Sequence, residues 1–464
     1  MKFMHVADIH LGCRRYNLDE RMKDFAKAWI DAIWKHALPN QIDFMLIAGD
    51  FFNARKVEPE AMNHAVAGLE LLRDAGIPVV AIEGNHDQRD AVSDYSWMRS
   101  LSRWGYLKLL EPARDEAGHL ALVPWDEETG TGSYIDIAGA RIFGTHWYGT
   151  SANAAIPLLA DALRQARAAD RCNILLLHTD VEGQLNRPNI PALSLATMNE
   201  LKSLVDYLAL GHTHKRFEID GWAFNPGSLE ACSIDEYREE RGLYLVEVDD
   251  ERNIHARHLR DYVQRPFQRL SFDVSGIENP DAVHEGVMET VRREARPHHH
   301  GDDESSAPII EINLRGHLGF KNSLLDISKM RAEARTATGA LHVMITNRSV
   351  PVEYAIAAGL DADASRQVRE RRIIEDLIAR DNRFRKHAPE MAQLVLEAKR
   401  LALGDETPEE ILKTIEDALA RHGLDVPEQI TSSDGPELIV SAAADTKLVA
   451  STAAMRALER NATT

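Results

Sequence analysis

Residues 1–12 read MKFMHVADIHLG, and this stretch decides the fold that the sequence predicts. Its apolar run at residues 2–7 indicates a short buried strand, which leads into the polar residues Asp8 and His10. Similar short apolar runs recur along the chain and also read as buried strands. They lie at residues 43–48, 78–83, 140–144, 173–178 and 206–210. Each of these runs either ends in a polar residue or is followed by one within two positions, so the pattern of the first strand recurs.

Stretches with helical periodicity separate several of these strands. Residues 20–38 and 58–75 carry apolar side chains at helical spacing, and the second stretch ends at Gly76. Two later apolar runs, 222–226 and 243–249, are too close together for a helix between them, which favours sheets that are not wholly parallel. The sequence therefore predicts an α/β fold with a layered core of mixed sheets flanked by helices.

The pattern divides the chain into four predicted parts. They are an α/β domain at residues 1–265, a small α+β capping domain at 266–350, a helical segment at 351–424 and a partly disordered tail at 425–464. One helix of the third part is expected to begin at a capping box, in which Thr407 and Glu410 bond to each other's backbone.

Composition narrows the classes of function. The formal net charge of −19 over 464 residues argues against a protein that coats nucleic acid, because that mode needs many cations against phosphates. A phosphate-bearing substrate would instead need a local positive feature, and bound divalent metals are the strongest one available. Neither a membrane span nor a secretory signal is evident, so we expect a cytoplasmic protein. Three scattered cysteines, Cys13, Cys172 and Cys232, are expected to be free thiols.

Polar side chains follow five of the predicted strands, where open α/β sheets place their chemistry. The motifs are Asp8-Ile9-His10, Gly49-Asp50, Gly84-Asn85-His86-Asp87, His178 and Gly211-His212-Thr213-His214. Two carboxylates, one amide oxygen and four imidazoles could bind two divalent cations if one carboxylate bridges them. A single Asp or Asn at a strand end is often only a turn or a helix cap. The occurrence of all five motifs in order favours a metal site.

The order of these motifs resembles that of the calcineurin-like metallophosphoesterase superfamily over residues 1–230. Within it the chain resembles the SbcD family, also called the Mre-eleven family, of nucleases that repair DNA double-strand breaks. The closer resemblance rests on residues 5–12, HVADIHLG, on the residue pairs that follow them and on residues 225–230, NPGSLE. Those pairs are Glu20-Arg21 and Asp24-Phe25. With the capping domain and the helices, the likeness extends over residues 1–420.

The resemblance implies a pair of divalent metal ions, usually manganese. It assigns Asp8, His10 and His214 to one ion, Asn85, His178 and His212 to the other, and Asp50 to both. It also implies that His86 faces the scissile phosphate and leaving group. Relatives have histidine or aspartate three residues after the bridging aspartate, where this chain has Asn53. An amide cannot transfer a proton, so we expect acid–base chemistry to depend on His86 or on metal-bound water, with Asn53 a second candidate catalytic residue.

The implied activity is a two-metal DNA exonuclease and endonuclease that acts at DNA ends and hairpins. The implied partners are DNA, an SbcC-type coiled-coil ATPase that docks on the C-terminal helices, and a second copy of the chain. Basic residues beside the motifs are candidates for contacts with DNA. They are Arg14, Arg15, Arg55, Lys56, Arg89, Lys215 and Arg216.

Two other functions fit the same residues. One is a small-molecule phosphodiesterase or phosphomonoesterase, because the metal site is common to the whole superfamily. The other is a scaffold that binds the ATPase and DNA ends without catalysis. The complete ligand set argues against the scaffold. Asn53 and the acidic composition keep the small-molecule enzyme open, and the additional domains and a panel of substrates discriminate it from a nuclease.

Overall fold

The computed structural model describes residues 1–89, 95–115, 119–185, 192–299, 301–350, 365–379, 384–404 and 406–421. The chain divides into two compact units, Met1–Ala355 and Ile356–Thr464. The predicted tail at 425–464 lies outside the described residues, and the predicted boundary at residue 265 stays a prediction. Within the described ranges, no helix has both the length and the apolar character needed to cross a membrane.

The strands of the first unit are numbered in chain order. They are β1 (Lys2–Val6), β2 (Phe44–Ala48), β3 (Val79–Ile82), β4 (Lys108–Leu109), β5 (Ala113–Arg114), β6 (Leu120–Ala121), β7 (Tyr134–Ile137), β8 (Ala140–Phe143), β9 (Cys172–His178), β10 (Tyr207–Gly211), β11 (Phe217–Ile219), β12 (Ala223–Asn225), β13 (Leu243–Val248), β14 (Ile254–Leu259), β15 (Phe267–Asp273), β16 (Ile309–Arg315) and β17 (His342–Asn347). The six strands predicted from the first 210 residues correspond to β1, β2, β3, β8, β9 and β10.

The helices are numbered in the same way. They are α1 (Asp19–Ala32), α2 (Leu38–Asn40), α3 (Pro59–Asp74), α4 (Trp97–Arg103), α5 (Ala152–Ala166), α6 (Leu195–Asn199), α7 (Pro280–Glu294), α8 (Ile327–Thr338), α9 (Arg366–Ile378), α10 (Ala388–Ala402) and α11 (Pro408–Arg421). The helix predicted at 20–38 is interrupted, because a π-helical turn at Ile33–Ala37 joins α1 to α2. The predicted capping box at the start of α11 is confirmed, since the Thr407 N–H donates to Glu410 Oε2 at 3.1 Å.

Two six-stranded mixed sheets form the core, as the sequence predicts. Their strand orders are β14-β13-β1-β2-β3-β4 and β11-β12-β10-β9-β8-β7. In β1, Phe3 faces the second sheet and stacks on Phe44 with ring centroids 5.0 Å apart, while its edge meets Tyr207. The neighbouring Met4 and Val6 belong to the apolar cluster that also contains residues of α1 and α3. Both faces of the strand are therefore buried, which explains its continuous apolar run.

The third sheet is small and wholly parallel. It has the order β15-β16-β17, and its strands pair in parallel register from Phe267 opposite Ile309 onward. The helices α7 and α8 lie between these strands in the chain and supply apolar side chains to one cluster with them, including Val287 and Met330. The predicted capping region is thus a βαβαβ arrangement, in which each helix is a crossover between parallel strands.

A buried network of charges joins the small sheet to the larger core. Asp24 on α1 accepts hydrogen bonds from Arg21 Nη1 at 2.6 Å and from Arg265 Nε and Nη2 at 2.5 and 2.7 Å. Glu230 Oε1 lies 3.5 Å from Arg21 Nη2, and Glu230 Oε2 accepts a hydrogen bond from the backbone N–H of Arg265 at 2.8 Å. Arg265 also donates to the carbonyl oxygen of Ala307 just before β16. Arg21, Asp24 and Glu230 are among the residues that carry the resemblance stated above, and here they have a structural role.

We expect Asp24→Asn to lower the free energy of unfolding by about 3 kcal/mol, because removing one carboxylate charge leaves two buried guanidinium groups poorly compensated. Equilibrium unfolding in urea measures this loss. Glu20→Gln, an exposed change of the same kind on the same helix, is the control and should alter stability by less than about 0.5 kcal/mol. Equal stabilities of the two variants would contradict the assignment.

Candidate metal centre

Five loops meet at the edge where β1, β2, β3, β9 and β10 end. The Asp8 N–H donates to the Gly49 carbonyl oxygen at 3.1 Å, and the His10 N–H donates to that of Asp50 at 3.0 Å. Asp8, His10 and Asp50 have φ values of 52°, 50° and 52°, and His212 has 88°. Positive φ is uncommon for residues with a side chain and costs free energy. The surrounding hydrogen bonds therefore hold these residues in a strained backbone that directs their side chains to one place.

Glycines allow the loops to approach this closely. A Cβ atom on Gly84 would lie 2.1 Å from Asp50 Oδ1, and one on Gly49 would lie 2.4 Å from His178 Nδ1. Both distances are far shorter than van der Waals contact. The glycines that precede the polar motifs are thus required by the close packing of the candidate ligands.

One group of candidate ligands contains Asp8, His10 and His214. The Nε2 atoms of the two histidines lie 3.0 Å apart, and His214 Nε2 lies 3.9 Å from Asp8 Oδ1. Two nitrogens bound to one cation at about 2.1 Å and at a right angle would be separated by about 3.0 Å. The spacing of the imidazoles therefore fits two ligands of a single ion. Asp8 is fully buried, and both its oxygens also accept from the His212 N–H.

A second group contains Asn85, His178 and His212. Asn85 Oδ1 lies 2.7 Å from His212 Nδ1 and 3.1 Å from His178 Nε2. His178 Nδ1 donates to the Ala48 carbonyl oxygen at 2.8 Å, so when the ring is neutral its lone pair lies on Nε2, which faces the site. This group presents one oxygen and two nitrogens to a common space.

Asp50 lies between the two groups. Its Oδ2 atom is 3.3 Å from His178 Nε2 and 3.8 Å from His10 Nε2, so a single carboxylate faces a histidine of each group. Its Oδ1 atom accepts from the His86 N–H at 2.8 Å, which orients the carboxylate. This is the position that a bridging ligand requires, although the role itself stays a prediction.

The pKa values reflect a cluster that attracts positive charge. Burial lowers the pKa of His178, but the carboxylate of Asp50 outweighs burial and raises the pKa to about 9. For His214, burial is likewise outweighed, chiefly by the hydrogen bond to Glu236, and the pKa is again about 9. Burial raises the pKa of Asp8 and lowers that of His10 well below its usual range. His10 Nδ1 is also buried with no hydrogen-bond partner among the described residues. This donor set fits divalent cations.

His86 lies beside both groups. Its ring packs edge-on against that of His10 with centroids 4.9 Å apart, and its Nδ1 donates to the carbonyl oxygen of Asn53 at 2.7 Å. His86 and Asn53, the two candidate catalytic residues, are thus in contact through the main chain of Asn53. Any residue at position 53 could supply that contact. Asp87, the last residue of the motif, accepts from the N–H groups of Phe51 and Phe52 at 2.8 Å and holds the neighbouring loop in place.

Two acidic residues that the sequence analysis did not single out contact the candidate ligands from behind. Glu236 Oε1 accepts from His214 Nδ1 at 2.9 Å, and Asp180 Oδ2 lies 3.6 Å from His212 Nε2. Carboxylates in this arrangement orient ligating histidines and raise their basicity. Asp180 could have been suspected because it follows His178 by two residues, whereas no local signal pointed to Glu236.

The candidate DNA-contacting residues differ in their surroundings. Three of them form ion pairs with nearby acids: Arg14 with Asp19 and Glu58, Lys215 with Glu239, and Arg216 with Glu218 and Glu240. The side chains of Arg15, Arg55, Lys56 and Arg89 are exposed. Arg14, Lys215 and Arg216 therefore offer a ligand less positive charge than an unpaired cation would.

Comparison with known proteins identifies the class of the core. The family described as calcineurin-like phosphoesterase matches residues 1–216, so this part of the chain is a calcineurin-like phosphoesterase domain. Divalent metal ions are implied by this class. The described residues provide three clusters of candidate ligand atoms, and the atoms of each cluster lie within 4.8 Å of one another.

Particular relatives are proteins named DNA double-strand break repair protein Mre11, with modest identity over much of the chain. The one from Archaeoglobus fulgidus is 35% identical over 52% of this chain and 54% of its own length. Those from Aeropyrum pernix and Sulfolobus acidocaldarius are 26% and 23% identical, over 77% and 76% of this chain and 81% and 91% of their own lengths. The chain thus spans about half of the first relative and most of the other two.

We expect Glu236→Gln to weaken binding of manganese by about tenfold, because the amide orients His214 less firmly and makes its Nε2 a poorer ligand. Isothermal titration calorimetry on the metal-free protein measures the affinity. Glu240→Gln removes the same charge from an exposed neighbour and should leave the affinity unchanged. A loss of equal size in both variants would mean that Glu236 acts only through its net charge.

Proposed function

We propose that this chain is a metal-dependent DNA nuclease that hydrolyses phosphodiester bonds at DNA ends and hairpins during double-strand-break repair. The observation that carries the proposal is the convergence of all seven candidate ligands into two groups, with Asp50 between them and His86 alongside. The names of the Mre11 relatives support DNA repair as the setting. The complete donor set supports an active enzyme over a scaffold.

In this proposal the residues named above hold two divalent cations, which the family resemblance implies to be manganese. Asp8, His10 and His214 hold the first, Asn85, His178 and His212 hold the second, and Asp50 contacts both. When bound, such a pair activates water for attack on phosphorus and offsets the negative charge of the phosphate. The protein contributes ligands locked by Glu236 and by the Ala48 carbonyl oxygen, so little reorganisation accompanies the reaction.

His86 would hold or move a proton at the phosphate. Its Nδ1 is engaged by the Asn53 carbonyl oxygen, so the ring can present Nε2 to a phosphate oxygen or to the leaving group. The amide of Asn53 cannot transfer a proton, but the contact that orients His86 does not use that side chain. We therefore assign acid–base chemistry to His86 and, at most, hydrogen bonding to the Asn53 amide.

Local positive charge would offset the acidity of the whole chain when DNA binds. Arg15, Arg55, Lys56 and Arg89 are exposed and follow the first three motifs in the chain. Phosphate contacts of this kind fix the position of a nucleic acid without reading its sequence. Arg14, Lys215 and Arg216 already pair with carboxylates, so their contact with a phosphate would require those ion pairs to open.

We further propose that the second unit docks on an SbcC-type ATPase. Its helices α9, α10 and α11 leave large apolar side chains exposed among the described residues. They are Val368, Leu377, Val395 and Leu412, together with Leu403 directly after α10. Amphipathic helices with such exposed positions bind apolar grooves on partners. A homodimer through α3 and α4, beside the exposed Trp97 and Trp104, is also proposed, and sedimentation that gives only the monomer mass would exclude it.

Two substitutions separate the roles of the bridge and of the acid–base residue. We expect Asp50→Asn to abolish manganese-dependent cleavage of end-labelled DNA and to reduce metal binding, since the bridging charge is lost. His86→Gln should lower kcat about 100-fold with metal binding retained, because general acid–base catalysis contributes roughly 10²–10⁴-fold. Gel assays of linear and hairpin DNA, with calorimetry of manganese binding, measure both effects.

The same assay decides between classes of substrate. Cleavage of cyclic nucleotides or phosphate monoesters by the wild-type protein, with DNA left intact, would reject the proposed nuclease and favour the small-molecule enzyme. Undiminished DNA cleavage by Asp50→Asn would reject the metal site itself. Protein that binds two metal ions but hydrolyses none of these substrates would favour the scaffold.

Exposed apolar side chains of the second unit can be tested separately. We expect the double substitution Val395→Asp and Leu412→Asp to abolish co-purification with an SbcC-type ATPase, because a buried, unpaired carboxylate is costly at an apolar interface. Manganese-dependent nuclease activity should persist. Glu409→Gln, an exposed change on α11, serves as the matched control. Unchanged association of the double variant would exclude these helices as the docking site.

A further inference from the structure

A thiol lies next to the first group of candidate ligands. His10, His214 and Cys232 each offer one ligand atom, and these three atoms lie within 4.8 Å of one another. Cys232 was not among the seven candidate ligands. The sequence offered no reason to connect it with His214, which lies 18 positions earlier, or with the more distant His10. A sulfur at this distance from two imidazole nitrogens is close enough for all three atoms to bind one cation after small side-chain movements.

The carboxylate of Glu236 holds both His214 and Cys232. Its Oε1 atom accepts from His214 Nδ1 at 2.9 Å, and its Oε2 atom accepts from the Cys232 N–H at 2.8 Å. On the next turn of chain, the Ile234 N–H donates to the Tyr16 hydroxyl at 2.8 Å. The segment that carries the sulfur is therefore fixed on two sides. The Glu236 side chain orients both the ring of His214 and the backbone of Cys232.

The other neighbours of the sulfur are also consistent with a ligand. Cys13 lies on the loop that carries His10, its N–H donates to the His10 carbonyl oxygen at 3.1 Å, and its thiol neighbours that of Cys232. His10 is 1% exposed and its Nδ1 atom has no partner among the described residues. Cys232 is only half-buried, so a metal ion need not unfold the loop to reach it.

We propose that Cys232 is an additional ligand of the cation held by Asp8, His10 and His214. This inference rests on the proposed metal pair. On binding, the Cys232 thiol loses its proton to solvent and the sulfur coordinates as a thiolate. Thiolate favours zinc, iron and cobalt over manganese, which prefers oxygen ligands. The sulfur therefore strengthens binding of zinc, iron and cobalt at the first metal position without preventing manganese from occupying it, whereas the second position, which has no sulfur, gains no such preference.

Cobalt reports directly on sulfur ligation. Metal-free full-length protein, kept reduced with a phosphine, is titrated with Co²⁺ as wild type and as Cys232→Ser, Cys232→Ala and Cys13→Ser. Wild type and Cys13→Ser should develop a near-ultraviolet sulfur-to-cobalt charge-transfer absorption, whereas both Cys232 variants should bind cobalt without it. Competition titrations should give a loss of zinc affinity of about tenfold or more in the Cys232 variants, with manganese affinity unchanged. Circular dichroism verifies that each variant is folded.

Each outcome decides the matter. Wild-type protein that binds two cobalt ions without the charge-transfer absorption would overturn the role of Cys232 and leave the proposed metal pair standing. The absorption retained in Cys232→Ser, or lost only in Cys13→Ser, would overturn it as well. Wild-type protein that binds no cobalt, zinc or manganese would overturn both this inference and the proposed function.

Discussion

The burial of two carboxylates, Asp8 and Asp50, is the constraint on which the rest of the site depends. Neither side chain has access to water, and an uncompensated buried charge is very costly. Each is therefore met by a backbone N–H, from His212 and from His86, and by imidazoles of the opposing loops. The five loops converge because only this arrangement supplies enough positive partial charge to one small space.

The polar groups behind the candidate ligands set which nitrogen His178 and His214 present. A carbonyl oxygen can only accept, so the contact of His178 with Ala48 places the ring proton on Nδ1. Glu236 does the same for His214 and, through its other oxygen, holds the backbone of Cys232. The chemistry proposed for the centre thus depends on residues that never face the substrate, which is usual for metal sites.

Residues that resemble a family do not all serve its catalysis. A buried network is formed by Asp24 and Arg21 on α1 and by Glu230 in the loop after β12. Arg265, which follows β14 in the chain, joins the network through Asp24. This network lies between the mixed-sheet core and the parallel sheet β15-β16-β17, and Arg265 reaches both. Residues of a family-like motif can therefore position one part of the molecule against another and take no part in the candidate metal centre.

Features that depend on neighbouring residues could be predicted from the sequence alone. Apolar runs predicted eight of the core strands, and the Thr407 and Glu410 pair predicted the start of α11, because strand burial and helix capping are local properties. The order of polar residues after the strands also nominated the candidate ligands. The short edge strands and the π-helical turn at Ile33–Ala37 were not foreseen, since tertiary packing overrides weak local preferences there.

Only the tertiary structure decided which atoms meet. Glu236 contacts His214 across 22 positions of sequence, and His10 meets His214 across 204, so no periodicity could reveal either pair. The proximity of Cys232 to both histidines arises in the same way. The sequence by itself determined the layered fold and the chemical types that line one edge of its sheets. The side-chain tautomers, the orienting carboxylates and the thiol beside them follow from close packing of distant segments, which depends on the complete three-dimensional fold.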